Sequence, residues 1–532
     1  MTKAVSKPWV MLSVLAVVGT LGVVMALRLH AGTFTESWEN GRRIITVGAK
    51  DDLQAAIDAA QPGDTIVVQA GATFTGGFVL PLKSGTGEIS IQSSRLSELP
   101  EGVRVSPAQS ALFAKLQTTN VEPVVTTAPG AHHYRFQGIE FSTSAATVKV
   151  YDLIRFGESR NKQKTLDVVP HDLVIDRCYI HGFDTQDVQR GVSLNSAEST
   201  VSNSYISDIH TEGIETQAIA AWNGPGPFHI INNYLEAAGV NIMIGGSDPG
   251  IPNLVPSDVE IRRNYVFKPL SWKLGHPTYA GKHWTVKNLL ELKNARNVVI
   301  DGNVFENNWT DAQDGTAILF TVRNQECSAP WSTLENITFS NNTLKGAIGA
   351  LNLLGMDNEV TASFGKCHPA STSGRGTGAV ITNNLFTDIR GPFLTLNGFY
   401  KVSLLHNTHL QTGNIMTLYG TPVQQFVYRD NLTIRNDKGY GVFGDGLGEG
   451  VAALRKFAPD AVFKNNVLAL ADSSIYPKEN DFPGSIERVG FVNFEKGDYR
   501  LANSSPYRKA SSESQPVGCD WGKLNFSAKT PE

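Results

Sequence analysis

The stretch KNLLELKNARNVVIDGNVFENNW, residues 287–309, contains two alternating patterns that decide the fold. Its second half, VVIDGNVF, alternates apolar with other residues up to a polar bend that contains Asn303. Its first half alternates Leu290 and Leu292 with charged residues. A period of two is typical of β-strands, so the stretch predicts two short strands joined by a bend.

The pattern around Asn303 recurs as a frame of apolar, any, apolar, two polar or small residues, any, apolar. The sixth position of the full frame falls at Ile139, Cys178, Ser204, Asn233, Asn264, Asn303, Asn342, Asn384, Asn407, Asn431 and Asn466. Eight of these eleven residues are asparagine, and the intervals between them run from 23 to 42 residues. Periods of this size are typical of a stacked array of repeats.

A second alternating strand follows in most repeats. It is found at 153–156, 192–194, 242–244, 290–292, 318–320, 351–353, 394–396 and 416–418. Two or three strands per repeat, wound in one direction, predict an all-β parallel β-helix with a continuous core and long insertions that project on one side. Asparagine tolerates the left-handed conformation, and its amide bonds to copies above and below, which explains one Asn at each bend.

The frame, the Asn column and the opening LQAAIDAAQPGDTIVVQAG resemble the right-handed parallel β-helix superfamily of pectate-lyase-like proteins. The resemblance covers roughly residues 45–520. In the opening, Leu53, Ala56 and Ile57 have helical spacing behind Asp51 or Asp52 as N-cap, which predicts a helix that covers the apolar end of the solenoid.

The N-terminus predicts a membrane segment. Lys3 and Lys7 precede an uncharged run of 19 residues from Trp9 to Leu27, and Arg28 follows. The length favours a single-pass anchor, with a cleaved signal peptide as the alternative, and the lysines place the body outside the cytoplasm. The predicted order is an anchor or signal at 1–30, a linker at 31–44, the β-helix at 45–520 and a tail at 521–532.

Composition and the cysteines give less information about fold and function than the repeat does. A net charge of −4 gives no reason to expect nucleic-acid binding, and we expect a monomer. Cys327 and Cys367 lie in insertions of consecutive repeats, where a disulfide and two separate thiols are equally compatible with the sequence. The histidines of HHY at 132–134 lack metal-type spacing to a third ligand, which favours a structural role.

Charged residues mark the candidate site. Glu291 is predicted to point outward between Met243 and Leu319 of the adjacent repeats, with Lys293 on its own strand and Arg323 one repeat away. A surface ion network is the plain interpretation. A functional wall is the sharper one, because the insertion at 268–287 beside it combines cations and aromatic rings.

That insertion has four lysines and no acidic residue, which suits an anionic sugar chain. The predicted substrate-binding residues are Lys268, Trp272, Lys273, His276, Lys282, His283 and Trp284. Carboxylates follow it, and Glu291, Asp311 and Asp314 are the predicted ligands of a Ca²⁺ ion.

Together these features suggest β-elimination on an acidic polysaccharide. Resemblance to the alginate and chondroitin lyases of the superfamily implies Lys287 or Lys293 as the base and Arg323 as the acid, beside the Ca²⁺ ligands. Two alternatives stay open. One is a polygalacturonase-type hydrolase that uses Asp311 with Asp314. The other is a non-catalytic β-helix that binds surface polysaccharide or has a structural role.

Overall fold

The computed structural model of the protein describes residues 28–30, 34–144, 149–357 and 375–524. The chain winds into three long sheets, called A, B and C here, and each repeat contributes one strand to each sheet in that order. Neighbouring repeats pair in parallel, for example Ile242 with Leu290 and Leu290 with Ile318 in sheet C. The described chain is therefore a parallel β-helix, as the sequence predicts.

The strands of the three sheets, in order along the solenoid, have the following bounds. Sheet A contains Arg28–His30, Phe34–Glu39, Arg42–Val47, Thr65–Val68, Ile89–Ser93, His132–Gln137, His171–Asp176, Ser199–Ser202, Phe228–Ile231, Ser257–Arg262, Ala295–Asp301, Leu334–Ser340, Thr377–Thr382, Tyr400–Leu405, Val427–Arg429 and Val462–Lys464. Sheet B contains Thr73–Thr75, Ala114–Thr118, Ile139–Thr143, Tyr179–His181, Tyr205–Ile209, Tyr234–Ala237, Tyr265–Phe267, Val304–Glu306, Thr343–Ala347, Leu385–Ile389, Thr408–Gln411, Leu432–Ile434 and Val467–Ala469. Sheet C contains Phe78–Leu80, Val125–Thr127, Lys149–Phe156, Asp187–Leu194, Gln217–Ala221, Val240–Ile244, Leu290–Leu292, Thr316–Thr321, Gly349–Leu354, Leu394–Asn397, Met416–Leu418, Val442–Gly444 and Gly448–Glu449.

The remaining elements are short. A separate hairpin pairs Phe491–Asn493 with Asp498–Leu501. The α-helices are Leu53–Ala59, Val451–Phe457 and Ile486–Val489. The 3₁₀ helices are Leu96–Glu98, Pro107–Leu112, Leu166–Val168, Leu270–Trp272, Ser473–Ile475, Phe494–Lys496, Pro506–Lys509 and Trp521–Lys523.

The inward side chains of the three sheets form one apolar core that runs along the solenoid. The helix Leu53–Ala59 buries Leu53, Ala56 and Ile57 against the first repeats, and the side chain of Asp52 accepts a hydrogen bond from the backbone N–H of Ala55. Both the predicted capping helix and its N-cap are confirmed. The strands Phe34–Glu39 and Arg42–Val47 occupy most of the stretch that the sequence predicts as a linker.

The asparagine column forms a buried ladder of side-chain amides. The Oδ1 atom of Asn303 accepts hydrogen bonds from the backbone N–H of Asn264 at 2.9 Å and from its Nδ2 at 3.0 Å. The same two contacts link Asn303 to Asn342. The left-handed conformation belongs instead to the preceding residue, such as Asn232 at φ 57° or Asn341 at φ 56°. The prediction of a ladder is correct, and the prediction of a left-handed Asn in the column is wrong by one position.

The insertions leave the solenoid at all three corners, not on one side, and residues 94–113 connect sheet A to sheet B. Residues 268–289 connect sheet B to sheet C, whereas 245–256 connect sheet C to sheet A. The prediction of a single side is wrong because the insertions interrupt the repeat at different points. The insertions at 268–289 and 245–256 lie at the two edges of sheet C.

Some predictions fall outside the described residues. The apolar run Trp9–Leu27 is one, and in the described part of the chain no helix is both long and apolar enough to cross a membrane. Cys327 is disulfide-bonded, while its predicted partner Cys367 lies outside the described ranges. Cys178, a member of the asparagine column, is a buried free thiol.

Candidate functional site

The charged group predicted on sheet C is present, and most of it is buried. Glu291 pairs in register with Met243 and Leu319, as predicted, and is 0% exposed. Its Oε2 atom lies 2.9 Å from Nζ of Lys293, and its Oε1 atom lies 3.8 Å from Nζ of Lys287.

The surroundings of Glu291 and Lys293 favour the charged form of each side chain. Burial raises the pKa of Glu291, but Lys293 and Lys287 outweigh it and hold the pKa below its usual range. Burial lowers the pKa of Lys293, but Glu291 outweighs it and raises the pKa above its usual range. Lys287 also contacts the carboxylate of Glu215. A base must be neutral to accept a proton, so this geometry does not favour Lys287 or Lys293 in that role, which stays a prediction.

Two other cations of the predicted site are fixed by contacts within the protein. Arg323 donates from Nη1 to Oδ1 of Asp357 at 2.9 Å. Lys268 is 0% exposed, and its Nζ donates to the carbonyl oxygens of Ala237, Ala238 and Gly239 and to Oδ1 of Asn241. Burial lowers the pKa of Lys268 well below its usual range. These contacts hold the turn between sheets B and C and do not favour substrate binding by Lys268, which stays a prediction.

The predicted Ca²⁺ ligands do not form one group. Asp311 accepts hydrogen bonds from His283 at 2.7 Å and from the backbone N–H of Val286 at 2.8 Å. Asp314 accepts a hydrogen bond from the backbone N–H of Thr316 at 2.9 Å. The carboxylate of Glu291 faces ammonium groups. These residues do not fit a calcium site at the predicted place, and calcium dependence stays a prediction.

The insertion at 268–287, called the ridge here, lines a cavity on each of its flanks. The first has a volume of about 460 Å³ and is lined by Trp272, Lys282 and Trp284 of the ridge. Glu236 of sheet B also lines it, and it is called the Glu236 cavity here. The second, of about 630 Å³, contains Lys273 and His276 and is called the Lys273 cavity. Most of the predicted substrate-binding residues thus line one of two cavities instead of the wall of sheet C.

Three acidic residues, Asp184, Asp208 and Glu236, line the Glu236 cavity. Glu236 is 7% exposed, and it accepts hydrogen bonds from the hydroxyl of Tyr234 at 2.6 Å and from the backbone N–H of Asp208 at 3.1 Å. Burial, and after it the negative charge of Asp208, raise the pKa of Glu236 to about 8. The raised pKa favours the protonated form of Glu236, with Asp208 as the neighbouring carboxyl group.

Aromatic rings surround these carboxylates. Tyr179 and Tyr205 line the cavity from sheet B. The ring of His210 stacks on Trp284 at 3.8 Å, and its Nε2 lies 3.8 Å from Oδ1 of Asp208. The Nζ of Lys282 lies 4.2 Å from the centroid of the Trp284 ring. A cavity with aromatic rings, a cation and a carboxyl of raised pKa is a candidate for a ligand-binding or active site.

The Lys273 cavity is basic. Lys273, His276, Lys345 and Arg390 line it together with Trp309 and one acidic residue, Asp388, which lies 3.8 Å from Lys345. The Nζ of Lys273 lies 5.9 Å from the centroid of the Trp309 ring, and burial followed by the charge of Arg390 lowers its pKa. This arrangement suits a carboxylate or sulfate on a sugar ring.

Sequence reasoning missed Glu236, Asp208 and His210. Each lies on or just after a strand that directly follows the asparagine column, where only the core-facing residues were assigned. A signal was available, since Glu236 occupies the same outward register as Phe267 and Glu306 in the next two repeats.

Comparisons with known proteins agree on the fold. No protein-family model and no curated protein matches the chain. The chain is similar to the solved catalytic unit of a thermostable GH87 α-1,3-glucanase from Streptomyces thermodiastaticus, with a TM-score of 0.51 and 12% identity over 86% of this chain and 72% of that one. It also matches a PL6 alginate lyase in complex with a trisaccharide, with a TM-score of 0.47 and 10% identity over 88% and 91%. A third match, pectate lyase Pel9A, has a TM-score of 0.36 and 13% identity over 90% and 95%. At these identities the likeness concerns the fold, and the resemblance of this chain to the pectate-lyase-like parallel β-helix proteins is confirmed.

Proposed function

We propose that the protein binds an acidic polysaccharide across the ridge and hydrolyses a glycosidic bond in the Glu236 cavity. The observation that supports this most is the buried carboxyl of Glu236, which lines a cavity beside Asp208 and whose raised pKa favours its protonated form. Glycosidases use such a pair, with one protonated and one ionised carboxyl group on either side of the bond.

In this mechanism Glu236 gives its proton to the oxygen of the leaving sugar. The carboxylate of Asp208 acts on the anomeric carbon, either directly or through a water molecule. Tyr234 orients Glu236 through its hydroxyl. Trp272 and Trp284, both almost fully buried, form an apolar wall of the cavity that excludes water.

The Lys273 cavity supplies the preference for an acidic chain. Its lysines and arginine attract carboxylate or sulfate groups, and Trp309 offers a ring face. A polysaccharide that crosses the ridge would place one acidic sugar there and the scissile bond in the Glu236 cavity. The solved structures similar to this chain include a glucanase, a pectate lyase and an alginate lyase, and the proposal of an acidic substrate rests on the Lys273 cavity.

β-Elimination is the second candidate. The observation in its favour is Lys282, a cation within the Glu236 cavity that neutralises a uronate carboxylate, as elimination needs.

We also propose that the protein lies outside the cytoplasm, attached to the membrane through residues 1–30, because an enzyme at the surface or in the medium meets such polysaccharide chains. We propose that it acts there as a monomer.

One assay separates these functions. The protein is incubated with alginate, polygalacturonate and chondroitin, with and without Ca²⁺ and with a chelator, and both new reducing ends and the absorbance of unsaturated uronates are followed. New reducing ends without unsaturation indicate hydrolysis, and unsaturation indicates elimination. Binding without either leaves a non-catalytic carbohydrate-binding protein.

Variants then locate the site. We expect Glu236→Gln and Asp208→Asn to reduce turnover at least about a hundredfold while binding is retained. Glu306→Gln is the matched control, because Glu306 lies two repeats away in the same outward column and also accepts a hydrogen bond from a tyrosine, Tyr265. Full activity of Glu236→Gln would overturn the assignment.

A further inference from the structure

Three imidazoles and a carboxylate meet at one corner of the solenoid. The sheet A strands His132–Gln137 and His171–Asp176 are neighbours, and His132 pairs with His171 in parallel register. Their rings stack with centroids 4.8 Å apart. The sequence separates these residues by a whole repeat, which is why HHY shows no third ligand in the sequence alone.

The backbone conformation at this corner is left-handed in three successive repeats. His133 and Asp172 both have left-handed backbones, with φ of 60° and 52°, and Glu198 of the following repeat has φ of 47°. Later repeats place polar residues, among them Asp258, Asn297 and Asn336, in the same conformation. Non-glycine residues seldom adopt this conformation, and Asn and Asp do so most readily. Histidine, like Asn and Asp, is enriched in this conformation, so only glutamate is an unusual choice in this series.

The ligand atoms are close enough for one ion. The Oδ2 atom of Asp172 lies 2.7 Å from Nδ1 of His171 and 3.7 Å from Nε2 of His133. One such atom from each of the three residues lies within 4.8 Å of the other two. The three side chains are between 24% and 38% exposed, so an ion can reach them from solvent.

A second layer of groups supports the three residues. The Nδ1 atoms of His132 and His133 are 2.6 Å apart, so one of them must accept a hydrogen bond from the other. When Nδ1 of His133 is the donor, its Nε2 presents a lone pair on the side of Asp172. Glu198 lies within hydrogen-bonding reach of Asp172. Such outer contacts commonly orient metal ligands.

We propose that His133, His171 and Asp172 form a binding site for one divalent transition-metal ion of the zinc type. Two imidazoles and one carboxylate suit Zn²⁺ and its neighbours in the first transition row, and they do not suit Ca²⁺, which prefers oxygen. Binding requires small rotations of the three side chains toward metal–ligand distances of about 2.0–2.2 Å. Because two consecutive repeats supply the ligands, the ion would join them.

The test uses the full chain, stripped with a chelator and titrated with Zn²⁺ alone by calorimetry. We expect one equivalent to bind, and we expect His133→Ala and His171→Ala each to weaken binding at least about tenfold. Asp172→Asn, which preserves side-chain size, guards against a variant that fails to fold, and circular dichroism checks each variant.

His229→Ala is the matched control. The His229 side chain also lies on sheet A, is 38% exposed like that of His171, and faces Glu260 at 3.3 Å. We expect it to leave the affinity unchanged. The proposal is overturned if no Zn²⁺ binds, if His171→Ala and Asp172→Asn bind as tightly as the natural protein, or if His229→Ala weakens binding equally. Because the readout is binding, it does not depend on the proposed hydrolysis.

Discussion

Glu291 and Lys293 lie two residues apart on one strand of sheet C, and Oε2 of Glu291 is 2.9 Å from Nζ of Lys293. The pair is enclosed, since Glu291 is 0% exposed and the Lys293 side chain 14% exposed. Replacing one partner of a buried pair leaves the other charge without compensation. The pair is therefore a determinant of stability.

We expect Glu291→Ala to lower the free energy of unfolding by about 3–5 kcal/mol. Replacing both residues together, as Glu291→Met with Lys293→Met, should cost less than Glu291→Ala, because no charge is left unpaired. Chemical denaturation monitored by circular dichroism measures both. Arg135→Ala, which breaks the more exposed pair with Glu88, is the control, with an expected cost of about 1 kcal/mol or less. Equal costs for Glu291→Ala and Arg135→Ala would contradict this interpretation.

The raised pKa of Glu236 predicts two effects of pH. A proton donor works only while protonated, so kcat/KM should fall as the pH rises through about 8. Stability should fall as well. Between the unfolded value of about 4.5 and the folded value of about 8, the folded state binds more protons than the unfolded state, so the free energy of unfolding decreases as the pH rises.

Glu236→Gln cannot lose this proton, so its stability should depend less on pH. Thermal unfolding of both proteins between about pH 5 and pH 8 measures the difference. Parallel curves for the two proteins would show that Glu236 does not retain its proton in this range.

The amide ladder predicts a large effect at Asn303. Its side chain accepts from Asn264 and donates to the carbonyl of Ile261 at 2.8 Å, and all of these groups are buried. Asn303→Ala leaves them without partners, and we expect a loss of at least about 2 kcal/mol. Asn303→Ser should cost less, because Ser204 occupies the same column position in another repeat.

Asn297→Ala is the control for the ladder. Asn297 also bonds to neighbouring repeats, through Asp258 and Asn336, but these contacts are exposed. Because Asn297 has a left-handed backbone (φ 53°), where alanine costs about 1 kcal/mol, we expect a total loss of about 1 kcal/mol, smaller than that of Asn303→Ala. Similar losses for Asn297→Ala and Asn303→Ala would show that burial is not the reason the ladder stabilises the solenoid.

The Lys273 cavity predicts binding that depends on salt. Lys273→Ala should weaken the affinity for an acidic polysaccharide about threefold to tenfold at low salt, because a cation beside Trp309 is lost. The difference should shrink at high ionic strength. Lys401→Ala, at an exposed position on sheet A, should have no effect in the same affinity electrophoresis.

The sequence predicted the parts of the fold that depend on repetition. Alternation placed Leu290 and Leu292 inward and paired Glu291 with Met243 and Leu319, because one register repeats through the whole stack. Alternation could not predict the path of the ridge, because that path depends on single contacts such as those of buried Lys268. The Glu236 cavity was missed for a related reason, since ridge residues meet outward-facing residues distant in sequence.

The last strand of sheet C, Gly448–Glu449, has two residues and runs antiparallel to its neighbour. The helix Val451–Phe457 follows it and buries Ala453, Leu454 and Phe457 on the core. Open sheet edges invite another chain to add a strand, and natural proteins protect them with short strands and covering helices. At this end of sheet C, a second copy would find no long parallel edge to extend, so sheet C resists the addition of a strand from another copy there.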